Sequence, residues 1–100
     1  MYCVIWEYLA KSGKEAAFER AYGSAGDWAA LFARADGFVG VSLHRDVILP
    51  RRFIVIDRWS SPDAYEAFRS RYAVEYDALD KAYSALSDRE APLGSFETLE

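Results

Sequence analysis

One cysteine, one histidine and three prolines occur in 100 residues, and the chain carries no surplus of positive charge. Each scarcity excludes something. Cys3 by itself closes no internal disulfide and supplies no cysteine-rich zinc site. A reducing, cytoplasmic setting is the resulting expectation. Twelve Lys and Arg against sixteen Asp and Glu leave a net charge of −4. That balance offers no basic field to a phosphate backbone, so no nucleic-acid partner is expected. No apolar run approaches the roughly 20 residues that cross a bilayer. Met1 to Leu9 has neither a basic leader nor a small-residue cleavage site, and Glu7 interrupts its apolar run. No membrane partner is expected either. Metal-ligand spacings and a GxSxG elbow are absent, and Gly23 and Gly26 lack the lysine and hydroxyl of a phosphate loop. The expectation is therefore a chain without metal or other cofactor.

What is present suits a single packed domain over residues 1–100. Tyr2 to Tyr8 reads as a first strand, rich in aromatic and β-branched residues, with Tyr2, Val4, Trp6 and Tyr8 on one face. Ser12-Gly13 marks a turn. From Lys14 the period lengthens, and Phe18, Ala21 and Tyr22 share a helical face. Gly23-Ser24-Ala25-Gly26 breaks that helix, and Asp27 is placed to cap a second piece carrying Trp28, Leu31, Phe32 and Ala35. Phe38 to Arg45 and Arg52 to Trp59 are the next strands. Ser60-Ser61-Pro62-Asp63 opens the last helix, whose apolar stripe is Tyr65, Phe68, Tyr72, Tyr76, Leu79 and Tyr83. Ser84 to Pro92 is polar and reads as a loop, and Gly94 to Leu99 as a short final strand.

The order β-α-β-β-α-β, with the first helix broken, predicts an α+β ferredoxin-like sandwich: four antiparallel strands with helices on one face. Helices cover one sheet face only, yet both faces are apolar. Cys3, Ile5, Ile54 and Ile56 lie on the far side from the aromatic row. An uncovered face of that kind is rare in a monomer, so a symmetric homodimer packed sheet against sheet is expected.

Two segments carry a family resemblance: Gly37-Phe38-Val39-Gly40 at the second strand, and Trp59-Ser60-Ser61-Pro62-Asp63-Ala64-Tyr65 between third strand and last helix. With the element order, they resemble the antibiotic-biosynthesis-monooxygenase-like family of dimeric α/β barrels. The resemblance implies a pocket between sheet and helices in each protomer. It also implies a range of chemistries. Some members oxidise polycyclic phenols or anthrones with molecular oxygen and neither metal nor flavin; others degrade haem, act on small signalling molecules or have no assigned activity. In the phenol-oxidising members a tryptophan ends the third strand and a tyrosine lies early in the next helix, matched by Trp59 and Tyr65. An asparagine four residues before that tryptophan is replaced here by Val55. The haem-degrading branch fits less, since Trp6 and Glu7 stand where its strand asparagine belongs and the last helix has no histidine.

The candidate site follows. Trp59, with Phe68 and Tyr72, would wall a pocket for a planar ligand, and Tyr65 would hydrogen-bond a ligand oxygen. Trp59 and Tyr65 serve equally as packing at the strand–helix corner, and the stripe's tyrosine hydroxyls could simply reach solvent at the sandwich edge. Asp57 shares a strand face with Phe53, Val55 and Trp59, so an apolar surround would raise its pKa into the range of a general base. A structural ion pair with Arg45, Arg52 or Arg58 is its plainer role. His44, read as sharing a face with Phe38, Gly40 and Ser42, is the other candidate base, because imidazole accepts protons at neutral pH. A solvated or interface histidine is the alternative. The expected function is a cofactor-free monooxygenase acting on a planar phenolic or quinone-like molecule, with a non-catalytic dimeric binder of an aromatic ligand as the rival, and a purely structural dimer behind both.

Overall fold

A computed structural model describes residues 1–100. Strand β1 (Tyr2–Ala10) lies between β3 (Arg52–Trp59) and β4 (Ser87–Glu97), and β2 (Phe38–Arg45) pairs with β3, giving the antiparallel order β2-β3-β1-β4. The two central strands are the most β-branched and aromatic, as a strand flanked on both sides requires. Alternation sorts their side chains. Phe53, Val55, Asp57 and Trp59 are at most 5% exposed, whereas Arg52, Ile54, Ile56 and Arg58 between them are half-buried. Tyr8, Trp6, Val4 and Tyr2 stand directly opposite the first set on β1. This face carries the core, beneath helices α1 (Glu15–Tyr22), α2 (Asp27–Phe32), α3 (Pro62–Arg71) and α4 (Ala73–Tyr83). The architecture is the ferredoxin-like α+β sandwich read from the sequence, and its first helix is broken between α1 and α2.

Local chemistry explains the joints. A Cβ on Gly26 would lie 2.3 Å from the Ala21 carbonyl oxygen, so only glycine lets α2 begin so close to the end of α1. Gly26, and not Asp27, is the N-cap; Asp27 is the first helical residue, where its charge favours the helix dipole. Gly37 has φ +87°, and a Cβ there would meet the Ala64 Cβ at 2.6 Å. The Ser61 hydroxyl accepts a 3.1 Å hydrogen bond from the Ala64 N–H and starts α3 with Pro62 behind it.

Three details depart from the sequence reading. The last helix divides at Tyr72, whose hydroxyl donates to the Arg34 carbonyl at 3.1 Å and ties the joint to the turn after α2. The polar run after Ser84 is no loop beyond a single 3₁₀ turn; β4 starts at Ser87 and runs eleven residues along β1. Its solvated edge position accounts for a composition that hides the strand. Finally, β2 carries a bulge: Phe38 pairs with Trp59 but Gly40 with Arg58, so the phase slips by one residue at Val39. Beyond the bulge Val41 and Leu43 face the helices, and Gly40, Ser42 and His44 face the other way. That opposite face bears Ile5, Ile54 and Ile56, all half-buried, and no helix covers it. No helix is long and apolar enough to cross a membrane.

Candidate active site

A cavity of about 190 Å³ opens between the sheet and the helices. Its floor is the helix-facing row of the central strands, with Val55 and Asp57 from β3 and Trp6 and Tyr8 from β1. Tyr22 of α1, Trp28 and Phe32 of α2, Arg69 of α3 and Tyr76 of α4 line its helical side, Trp28 meeting Tyr76 edge-on at 5.0 Å. Asp80 of α4 and Glu90 of β4, both exposed, stand at the mouth. Every helix and strand contributes. The volume exceeds the roughly 150 Å³ of a cavity that takes up benzene, which suits a planar ligand of one or two rings.

Asp57 is the one buried charged residue, 5% exposed, and its Oδ1 has no hydrogen-bond partner. Removal from water disfavours the carboxylate, and burial pushes its pKa up to about 7. None of the arginines that could have paired with it does so. Arg52 binds Glu7 and Asp46, Arg58 donates to the Ser42 hydroxyl, and Arg45 lies 3.9 Å from Glu19. The hydroxyls around it differ in kind. Burial raises Tyr8 and Tyr76 well above the ordinary phenol and Tyr22 to about 12, so all three stay neutral and act as donors. Trp28 Nε1 is a further buried donor without a partner.

The other expected site residues fall elsewhere. His44 is exposed on the opposite sheet face, bonded to the Ser42 hydroxyl at 2.9 Å, because the bulge at Val39 reverses the phase of β2. Trp59 is fully buried one layer behind the cavity, edge-on to Phe32, Phe38 and Tyr65. Phe68 and Tyr72 line a separate surface groove with Arg34 and Arg71. Tyr65 is buried beside Trp59, and its hydroxyl accepts from Arg69 Nη1 at 3.1 Å. Through that bond it steers a guanidinium that also lies 4.0 Å from the centre of the Tyr76 ring. Sequence reasoning missed Arg69, although its i+4 spacing from Tyr65 was a usable signal. Tyr22, Trp28, Asp80 and Glu90 gave no signal, since only the tertiary fold brings them to Asp57.

A buried carboxyl with a raised pKa has a consequence for stability. Unfolded, the group ionises near 3.8; folded, near 7. Between those values the native state holds a proton that the unfolded chain has lost, so this contribution is complete below about pH 4 and is lost as pH rises through 7. The swing is about 4 kcal/mol for a shift of this size. Urea denaturation of wild type and Asp57→Asn across this range is expected to show the wild-type curve falling relative to the variant. Parallel curves would refute the buried-acid assignment.

The comparisons with known proteins agree with this architecture. The sequence model of the family described as "Antibiotic biosynthesis monooxygenase" matches residues 1–75. A Bordetella bronchiseptica protein assigned to the same class superposes with a TM-score of 0.76 at 23% identity, over 99% of this chain and 97% of that one. SnoaB of Streptomyces nogalater, a cofactor-independent oxygenase determined as an asparagine-to-alanine variant, gives 0.73 at 22% identity, over 99% and 93%. A Nitrosomonas europaea protein of that class gives 0.73 at 16% identity, over the whole of both chains. No curated protein matches the sequence. Identities this low establish shared fold, and the chemistry has to be argued from the site. With the family model spanning residues 1–75, the chain belongs to the antibiotic biosynthesis monooxygenase family.

Proposed function

We propose that this protein is a cofactor-independent monooxygenase that converts a small planar phenol to a quinone, with Asp57 as its general base. The observation that carries the proposal is the unpaired Asp57 carboxyl, buried in an aromatic cavity with a pKa of about 7. SnoaB, similar in fold, performs oxygenation without a cofactor. Such chemistry asks a protein for proton removal and a dry site, because the substrate itself provides the electrons.

Asp57 takes the phenolic proton, and the electron-rich anion passes one electron to dioxygen. The radical pair joins at the ring carbon para to the oxygen, and the peroxide so formed takes a proton back. Loss of water, with the hydrogen of that carbon, leaves a carbonyl. One oxygen atom of O2 enters the product and the other leaves as water, so no external reductant is consumed. Neutral Tyr8 and Tyr76 would donate hydrogen bonds to the peroxide, and Arg69 would offset the negative charge that develops. Trp6 and Trp28 would hold the ring plane.

The test is oxygen uptake by chelator-treated protein with a panel of phenols and naphthols under labelled dioxygen. One labelled oxygen per quinone, with one O2 consumed, is expected. A panel returned unchanged under oxygen would favour the second reading, a non-catalytic binder of aromatic ligands. Val55 is the residue that speaks for that reading, since it stands where the phenol-oxidising members are expected to have asparagine.

The partner in either case is a second copy of the chain. Ile5, Ile54 and Ile56 present an apolar strip on the helix-free face, and burying it in a symmetric sheet-to-sheet dimer removes it from water. His44 on the same face then serves the contact and not the chemistry. Ile54→Lys is expected to convert a sedimenting dimer to monomer; a wild-type protein that sediments as a monomer refutes the pairing.

A further inference from the structure

Three carboxylates and one guanidinium reach the cavity: Asp57 at the floor, Asp80 and Glu90 at the mouth, and Arg69 on the helical wall. None of the three acids takes part in an ion pair. Arg69 is already engaged, with the Tyr65 hydroxyl at 3.1 Å and the Tyr76 ring face at 4.0 Å. Its single positive charge is set against the two exposed carboxylates at the mouth. Partial burial and the neighbouring Asp80 charge both push the Glu90 carboxyl above its usual range. The two acids at the mouth repel one another, and a positive group between them would relieve both. At the floor Asp57 Oδ1 is buried without a partner, and a hydroxyl on the ligand's ring can supply the missing donor.

An anionic ligand meets the opposite conditions. It would enter past Asp80 and Glu90 toward a third acid, with Arg69, held to the Tyr65 hydroxyl and the Tyr76 ring, as the one cation on its way. We propose that the cavity is selective for an organic cation: an aromatic ligand bearing a protonated or quaternary amine, its ring between Trp6 and Trp28 and its ammonium between Asp80 and Glu90. The inference rests on the proposed function only in taking this cavity as the ligand site. It requires no oxygen chemistry. If the oxygenase reading holds, the substrate class narrows from phenols at large to amine-bearing phenols.

Calorimetric titration at low ionic strength with three naphthols tests it, the probes differing only in an aminomethyl, hydroxymethyl or carboxyl group at one ring position. The amine is expected to bind about tenfold more tightly than the neutral probe, with the carboxylate weakest. Because both mouth acids are exposed, Asp80→Asn with Glu90→Gln is compatible with folding. That double variant is expected to bring the amine within about threefold of the neutral probe, and added salt to narrow the wild-type gap. A carboxylate that binds as tightly as the amine overturns the inference, as does a double variant that keeps the full amine preference. Failure of all three probes to bind overturns it together with the cavity as ligand site. Amine-selective binding without oxygen uptake supports the inference and removes the oxygenase reading alone.

Discussion

Asp57→Asn is expected to lower turnover of a phenolic substrate by about 10²–10⁴-fold, the usual contribution of a general base. Asparagine keeps the shape of the side chain and one acceptor oxygen but cannot take up a proton, so the loss falls on kcat and leaves KM within a few-fold. No neighbour replaces it. Tyr8 and Tyr76 are held far above the range in which a phenol could act as a base, and His44 is on the other side of the sheet. His44→Ala is accordingly expected to leave turnover unchanged. A variant at position 57 that keeps more than a tenth of the wild-type rate would show that the proton goes elsewhere.

Trp59→Ala costs about 3–5 kcal/mol of stability, as the loss of a fully buried aromatic does. The ring packs against Phe32, Phe38, Tyr65 and Phe68, with centroids 5.0–5.7 Å away, and nothing nearby can collapse into so large a void without disturbing the strand–helix corner. Denaturant unfolding measures the loss, and a cost below about 1 kcal/mol would contradict the packing described. Since typical domains are stable by only 5–15 kcal/mol, the alanine variant can fail to accumulate, and Trp59→Phe then serves as the milder probe. Trp59 stands behind the cavity and Trp28 within it. Trp59→Phe therefore leaves ligand quenching of fluorescence intact, and Trp28→Phe diminishes it.

Local periodicity controls those features of the fold that are legible in the sequence. Strand β3 has its expected ends because alternation runs unbroken from Arg52 to Trp59, and the same phase put Asp57 on the buried face. His44 was misplaced for the reciprocal reason: one extra residue at Val39 reverses every side chain after it, and no composition marks the bulge. The first half of β4 was illegible because an exposed edge strand needs no apolar pattern to hold its hydrogen bonds to β1. Trp59, Phe68 and Tyr72 were expected in the site from type and spacing, whereas burial places Trp59 and Phe68 in the aromatic packing and Tyr72 at the helix joint. The cavity itself is a tertiary product. Tyr22, Trp28, Arg69, Asp80 and Glu90 come from five elements, and nothing in their spacing joins them to position 57.

In the proposed reaction the proton of the substrate passes to the Asp57 carboxylate. The pH dependence of kcat/KM reads that transfer, with a substrate whose own hydroxyl ionises well above the range scanned. A base must be ionised to act, so activity is expected to rise with pH through an inflection near 7, the value to which burial brings this group. The ascending limb is expected to vanish in Asp57→Asn. A wild-type profile that is flat across neutral pH, or an identical limb in the variant, would contradict the account.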